Sequence, residues 1–178
     1  FEADSDEIAK GLEGREVRKI YLRELGPADT RHAILDSLDG GASLLSYAGH
    51  GGIGLWASEN VFEGADVSSL SPQAAQPIAM TMNCLNGYFH FPYFDSLAES
   101  LVKARGRGAI AAFSPSGLSL NSPAHFYQKA LLAELASGRH SRIGDAIAAA
   151  QTAYAESGLF PELLAIYHLL GDPALRLR

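Results

Sequence analysis

The sequence predicts an α/β fold in three layers, a mostly parallel central sheet covered by helices on both faces. Three observations predict it. Four short apolar runs, Val17–Leu22, Ser43–Ala48, Pro77–Met82 and Gly108–Phe113, recur at the spacing of strands separated by helices. The middle two are apolar on both faces, as strands covered from two sides must be. Helical patterns fill the intervals, and strand alternating with helix implies parallel pairing. Finally, stretches rich in Gly, Ser and Pro at 49–60, 83–95 and 114–123 each follow a strand. In an open parallel sheet such loops gather at the carboxyl edge, where ligands bind.

Taken in order, Val17–Leu22 is expected to be the first strand. Thr30 then caps a helix carrying Ile34, Leu35 and Leu38 that ends near Gly40-Gly41. Ser43–Ala48 and Pro77–Met82 are the central strands. Leu97, Leu101 and Val102 mark one face of the next helix, which leads into Gly108–Phe113. Beyond Pro123, the residues Phe126, Ala130, Leu131 and Leu135 mark a helix ended near Gly138. Ile143, Ile147 and Tyr154 repeat that period. Pro161–Leu169 is expected to be a short final helix, and Asp172-Pro173 a turn before a last strand, Ala174–Leu177. No internal repeat or linker interrupts the pattern, so residues 1–178 are expected to form one domain.

Composition narrows the function. The chain has 178 residues, 47% of them hydrophobic and 19% charged, which is globular rather than disordered. No apolar run approaches the ~20 residues that cross a bilayer. With 14 Lys+Arg against 20 Asp+Glu the net charge is −6, and no basic face offers itself to nucleic acid. The single cysteine, Cys84, can form neither an intramolecular disulfide nor a cysteine-rich zinc site. The first residue is Phe1 and no signal-peptide pattern follows, so the chain is expected to begin inside a longer precursor.

Two loops carry candidate chemistry. In Tyr47-Ala-Gly-His-Gly-Gly-Ile-Gly54, the residues Gly49, Gly51 and Gly54 spell the dinucleotide fingerprint, but no helical stripe follows and no ribose-binding acid ends the next strand. His50-Gly-Gly also resembles an esterase oxyanion loop, yet the chain has no G-x-S-x-G elbow to go with it. The other loop is Met80-Thr-Met-Asn-Cys84-Leu-Asn-Gly87. A lone cysteine is ordinarily a small buried hydrophobe. Cys84, however, lies where a strand gives way to a loop, and the preceding strand ends in the loop that carries His50. Parallel neighbours bring both loops to one edge, where an imidazole can help generate a nucleophilic thiolate. The Gly51 and Cys84 amides could then face an oxyanion.

At these residues a family resemblance becomes specific. The Tyr-x-Gly-His-Gly segment, Trp56, and the Asn-Cys-Leu-Asn-Gly-Tyr-Phe segment 34 residues after the histidine resemble the gingipain family of cysteine peptidases, relatives of caspases, legumain and clostripain. Ser96-Leu-Ala-Glu99, Gly108-Ala-Ile-Ala111, Gly144-Asp-Ala-Ile147 and Leu170-Gly-Asp-Pro-Ala-Leu175 continue the similarity in the family's order. The resemblance implies a caspase-like sandwich with His50 and Cys84 as catalytic dyad and Gly51 with Cys84 as oxyanion site. It implies a Cys84 thioester, a polypeptide substrate, and an extracellular or bacterial cell-surface setting. It also implies a strand and a larger amino-terminal segment of the same precursor that this chain lacks. No cofactor is required for that chemistry; a structural calcium ion is left open. A sortase-like transpeptidase using the same dyad, or a non-catalytic caspase-like binding module, is the alternative.

Trp56, Ser114 and Ser116 are expected to help bind substrate, with a core tryptophan as the equal alternative for Trp56, and with Ser114–Leu120 as the substrate's wall and a place where the peptide adds as a strand. The remaining tempting residues have plainer readings. Glu2, Asp4 and Asp6 form an acidic helix start, and Glu99 anchors a loop. His90 packs among aromatic side chains. His32, His125, His140 and His168 lack metal-ligand spacing, so no metal site is expected.

Overall fold

The computed structural model describes residues 1–12 and 14–177. The elements are α1 (Glu2–Lys10), α2 (Leu22–Asp39), β1 (Leu44–Ala48), β2 (Leu55–Trp56), β3 (Phe62–Glu63), α3 (Gly64–Ser69), β4 (Ile78–Met82), α4 (Leu97–Lys103), β5 (Ala111–Pro115), α5 (Asn121–Ala136), α6 (Ile143–Glu156), α7 (Glu162–Ile166) and β6 (Tyr167–Leu170). The main sheet runs β1-β4-β5-β6, parallel except for β6. A separate hairpin pairs β2 with β3.

The alternation of a strand divides the interior in two. Met80 and Met82 of β4, with Ala111 and Phe113 of β5, turn toward Tyr127 and Leu131 of α5 and Ile147 and Tyr154 of α6. Ala79 and Ala112 turn the other way, into a core with Leu38 of α2 and Leu97 and Leu101 of α4. Each fully buried Leu in these layers contributes about 1.5–3 kcal/mol relative to exposure. The expected three-layer architecture follows from this double burial.

Several expected elements are different. Val17–Leu22 is not a strand: residues 16–21 have no ladder partner, and α2 begins at Leu22. Ile20 and Leu22 pack on the α2/α4 core, while Val17 is 39% exposed. The apolar pattern there reflects two anchoring contacts, not pairing. Thr30 caps nothing, because the helix starts eight residues earlier and kinks at Gly26 (φ 76°) before Pro27. A proline is favoured at the first position of the resumed helix, where its missing N–H is no loss. In α5, Phe126 is 39% exposed and its neighbour Tyr127 is buried instead. Tyr127 lies on the face that meets α6, where it stacks on Tyr154 at 4.7 Å.

The carboxyl end also departs from expectation. The final helix stops at Ile166, and Tyr167–Leu170 becomes β6, antiparallel to β5. The outer edge of β5 needs a partner for its buried amides and carbonyls, and Tyr167 meets Phe113 at 5.5 Å in doing so. Ala174–Leu177 forms no strand; Arg176 makes only an isolated bridge to Arg142. The Asp172 turn is present, with the Ala174 N–H donating to its carboxylate at 2.8 Å. Glu99 anchors as expected: it accepts from the Ser96 N–H in a capping box that starts α4, an arrangement worth ~1 kcal/mol.

Helix α1 lies against α5. Its Asp4 accepts from Asn121 at 3.0 Å, and its Glu7 pairs with His125 at 2.9 Å and with Lys129. Hydrogen bonds first from Lys129 and then from His125 hold the Glu7 carboxyl down at about 2. A carboxyl depressed in the folded state stabilises above its unfolded value and loses that contribution as pH falls toward the folded one. Hydrogen-exchange protection of α1 relative to α5 is therefore expected to hold above pH ~4.5 and decline toward pH ~2, with the step absent in Glu7→Gln. Protection of α1 that ignores pH over that range would disprove the coupling.

Candidate active site

The last ladder pair of β1 and β4 is Ala48 opposite Met82. Two residues beyond it on each chain come His50 and Cys84. Because the strands are parallel and adjacent, the sheet delivers both to the same edge, as the sequence predicts. The Gly49 N–H still reaches the Met82 carbonyl at 3.3 Å, so the chains part just before the two residues.

His50 opens a tight hairpin rather than a helix. The Ala57 N–H donates to its carbonyl at 2.9 Å, the Gly52 N–H donates to Leu55 at 3.0 Å, and the Tyr47 hydroxyl donates to the His50 carbonyl at 2.7 Å. Burial raises the Tyr47 phenol well above its usual range, so it stays a donor. The His50 carbonyl is thus held by two donors while its ring remains exposed, edge-on to Phe1 at 5.2 Å. This hairpin removes the structural basis of a dinucleotide loop, since Gly54 leads into β2 and not into a helix.

Cys84 is half-buried. Its Sγ accepts from the Ser119 N–H at 3.4 Å and lies 3.6 Å from the Ser119 carbonyl. Ser119 is itself fixed by a hydroxyl–hydroxyl bond of 2.9 Å to Tyr167, whose phenol is pushed up by burial and stays protonated. Immediately after Cys84 the chain bends: Leu85 adopts φ 63°, a left-handed conformation rare for a non-glycine residue. Its N–H donates to the Gly117 carbonyl at 3.1 Å. The turn keeps Cys84 at the rim and sends the following residues back into the core.

The two loops touch. A Cβ built on Gly51 would lie 2.2 Å from Asn83 Nδ2 and 3.1 Å from the Cys84 carbonyl oxygen. Among the described residues, neither the Gly51 nor the Cys84 backbone N–H is paired with a protein acceptor. Two unpaired donors therefore lie in the touching loops, one of them on Cys84 itself.

Two of the expected substrate contacts, Trp56 and Ser114, are buried, whereas Ser116 is partly accessible. Trp56 is 1% exposed: it stacks on Tyr47 at 4.2 Å and donates to Asn86 Oδ1 at 2.6 Å, so it supports the loop from beneath. Ser114 is 0% exposed, its hydroxyl bonded to Thr81 across β4 and β5 at 2.6 Å. Ser116 is half-buried, with its hydroxyl donating to the Ile166 carbonyl at 3.2 Å and paired with His168 at 2.8 Å. The exposed part of the expected wall is Leu118 and Leu120, flanking the Ser119 that holds the thiol. His90 lies against Tyr88, ring centroids 3.8 Å apart. Among the described residues no three His, Cys, Asp or Glu side chains gather in a metal-binding group.

The whole of residues 1–178 matches the model of Peptidase family C25. The chain belongs to that family. Gingipain R2 of Porphyromonas gingivalis is 33% identical over 82 residues, 46% of this chain and 11% of that protein. Gingipain R1 of the same species is 33% identical over the same share of this chain and 8% of its own length. Among solved structures, the Arg-specific cysteine proteinase gingipain R superposes with a TM-score of 0.88 at 23% identity, over 99% of this chain and 42% of that one. The complex of the pro- and mature domains of the Porphyromonas gingivalis proteinase RgpB gives 0.85 at 24% identity, over 98% and 43%. This C25 chain therefore spans a small part of the curated relatives and under half of the solved ones. Its caspase-like α/β fold is the one that the sequence predicts.

The sequence reading missed Asn83, Asn86, Tyr47 and Tyr167 as parts of the site. The two asparagines flank Cys84 in the motif, and that adjacency was their only signal. Gly51→Ala is expected to cost ~1–3 kcal/mol in urea unfolding, because its Cβ must displace a buried amide. Gly52→Ala, whose Cβ would meet only Leu55 at 3.7 Å, serves as the control. Equal midpoints for the two variants would show that the loops are not in tight contact.

Proposed function

We propose that this chain carries the catalytic centre of a cysteine endopeptidase. The observation that supports it most is the paired placement of His50 and Cys84, two residues past the last ladder pair of adjacent parallel strands. Cys84 passes its thiol proton to His50, its Sγ attacks the scissile carbonyl, and the oxygen takes up negative charge between the Gly51 and Cys84 amides. His50 then donates a proton to the leaving amine as the C–N bond breaks, leaving a Cys84 thioester. Water, deprotonated by His50, resolves the thioester and releases the acid. The two side chains act on opposite ends of the reacting group and so need no direct hydrogen bond in the resting state. An acyloxymethyl-ketone peptide is expected to label Cys84 stoichiometrically, with labelling lost in His50→Ala. Labelling that persists without His50 would overturn the dyad.

We also propose an amino-terminal segment of the same precursor as partner and an extracellular or cell-surface setting, both resting on the family resemblance. The outer edge of β1 has no strand partner among the described residues, which suits an added strand. No described helix is long and apolar enough to cross a membrane. Protein isolated from the producing cells is expected in the medium or envelope, still bound to an amino-terminal piece. A cytoplasmic protein without such a piece would overturn both.

A further inference from the structure

We propose that Asn86 is a positioning residue: its carboxamide locks the His50 loop to the Cys84 loop and thereby fixes the direction of the Gly51 amide. The catalytic half of this inference rests on the peptidase reading; the mechanical half does not. Asn86 is fully buried, and both ends of its amide are used. Oδ1 accepts from Trp56 Nε1 at 2.6 Å and from Asn83 Nδ2, while Nδ2 donates to the Gly52 carbonyl and, at 3.2 Å, to the Leu55 carbonyl. Three of these partners lie in the His50 hairpin and one beside the nucleophile. The backbone of Asn86 is fixed in turn, its carbonyl accepting from the Ala98 N–H at 2.9 Å at the start of α4.

The hairpin needs such a restraint. Between positions 49 and 54 it holds Gly49, Gly51, Gly52 and Gly54, and glycine leaves a backbone free to take many conformations. Asn83 passes the restraint on. It is buried, it donates to Asn86, and its Nδ2 occupies the space where Gly51 lacks a side chain. Only asparagine meets these demands at this reach. Aspartate keeps the acceptors but loses both donors and adds a charge, while glutamine is a methylene too long for a closed core.

Two variants test the proposal. Trp56→Phe keeps an aromatic ring beside Tyr47 and removes one donor, and Asn86→Asp keeps the acceptor and removes both donors. Three readouts apply: hydrogen exchange of residues 50–57, steady-state kinetics, and alkylation of Cys84 by iodoacetamide, which uses no oxyanion site. The substrate is a fluorogenic peptide amide picked from a P1-scanning library by wild-type cleavage. Expected are loop exchange faster by about tenfold or more, kcat lower by about ten- to a hundredfold with KM within about twofold, and unchanged alkylation. Trp56→Phe, the milder change, keeps the test alive if Asn86→Asp does not fold. Wild-type exchange rates in the folded variants overturn the clamp whatever the activity. Faster exchange with wild-type kcat, or a change confined to KM, overturns the positioning role. A wild type that cleaves nothing in the library overturns the peptidase reading alone, and exchange still decides the clamp.

Discussion

Beyond Ala48 and Met82 the two central strands stop pairing, and every buried backbone group in the loops that follow must find another partner. The rest of the site depends on how that demand is met. The start of α4 meets part of it. A helix leaves its first N–H groups without intrahelical acceptors, and here the Leu97 N–H reaches the Ile53 carbonyl at 2.8 Å while the Ala98 N–H reaches Asn86. One helix terminus therefore binds both loops. The Asn86 side chain joins the same loops from inside. The Ser96–Glu99 capping box fixes where the helix begins, and so where both loops are held.

A second restraint acts on the thiol from the opposite side. The segment after β5 brings the Ser119 N–H to Cys84 Sγ, and β6 brings Tyr167 to Ser119. The left-handed turn at Leu85 costs on the order of 1–3 kcal/mol and persists only where its surroundings enforce it. Its enforcement is visible in the bonds from Leu85 to Gly117 and from Gly87 to Pro115, the latter 2.8 Å long. A Cβ on Gly87 would meet the Ser114 carbonyl oxygen at 2.9 Å, so the two chains run in close contact. Cys84 is thus wedged between a loop from β1 and a loop from β5. Both loops spring directly from strands of the main sheet, which suits precise placement of side chains at its edge.

The apolar core and the loops that hold His50 and Cys84 are carried by different parts of the chain. The apolar layers on either side of β4 fix the strands. The edge selects these two loops by polar bonds between short side chains and backbone, where a methylene more or a donor less leaves a buried group unpaired.

The sequence by itself determined the α/β class, the two central strands, and the arrival of His50 and Cys84 at one edge of the sheet. Each depends on local pattern: apolar runs of strand length and the polarity of parallel neighbours. It also carried the inward faces of α2 and α6, where Ile34, Leu38, Ile143, Ile147 and Tyr154 repeat at helical spacing. Tertiary structure decided what local pattern cannot encode. Val17–Leu22 has the composition of a strand but no ladder to join. Tyr167–Leu170 continues a helical pattern yet pairs with the edge of β5, because an unpaired buried edge costs more than a shortened helix. Trp56 follows the His50 loop in the chain and Ser114 ends a strand at the same sheet edge, yet both side chains are buried. A residue's nearness in sequence fixes its element, whereas its exposure is set by what packs over it, and only the assembled layers supply that.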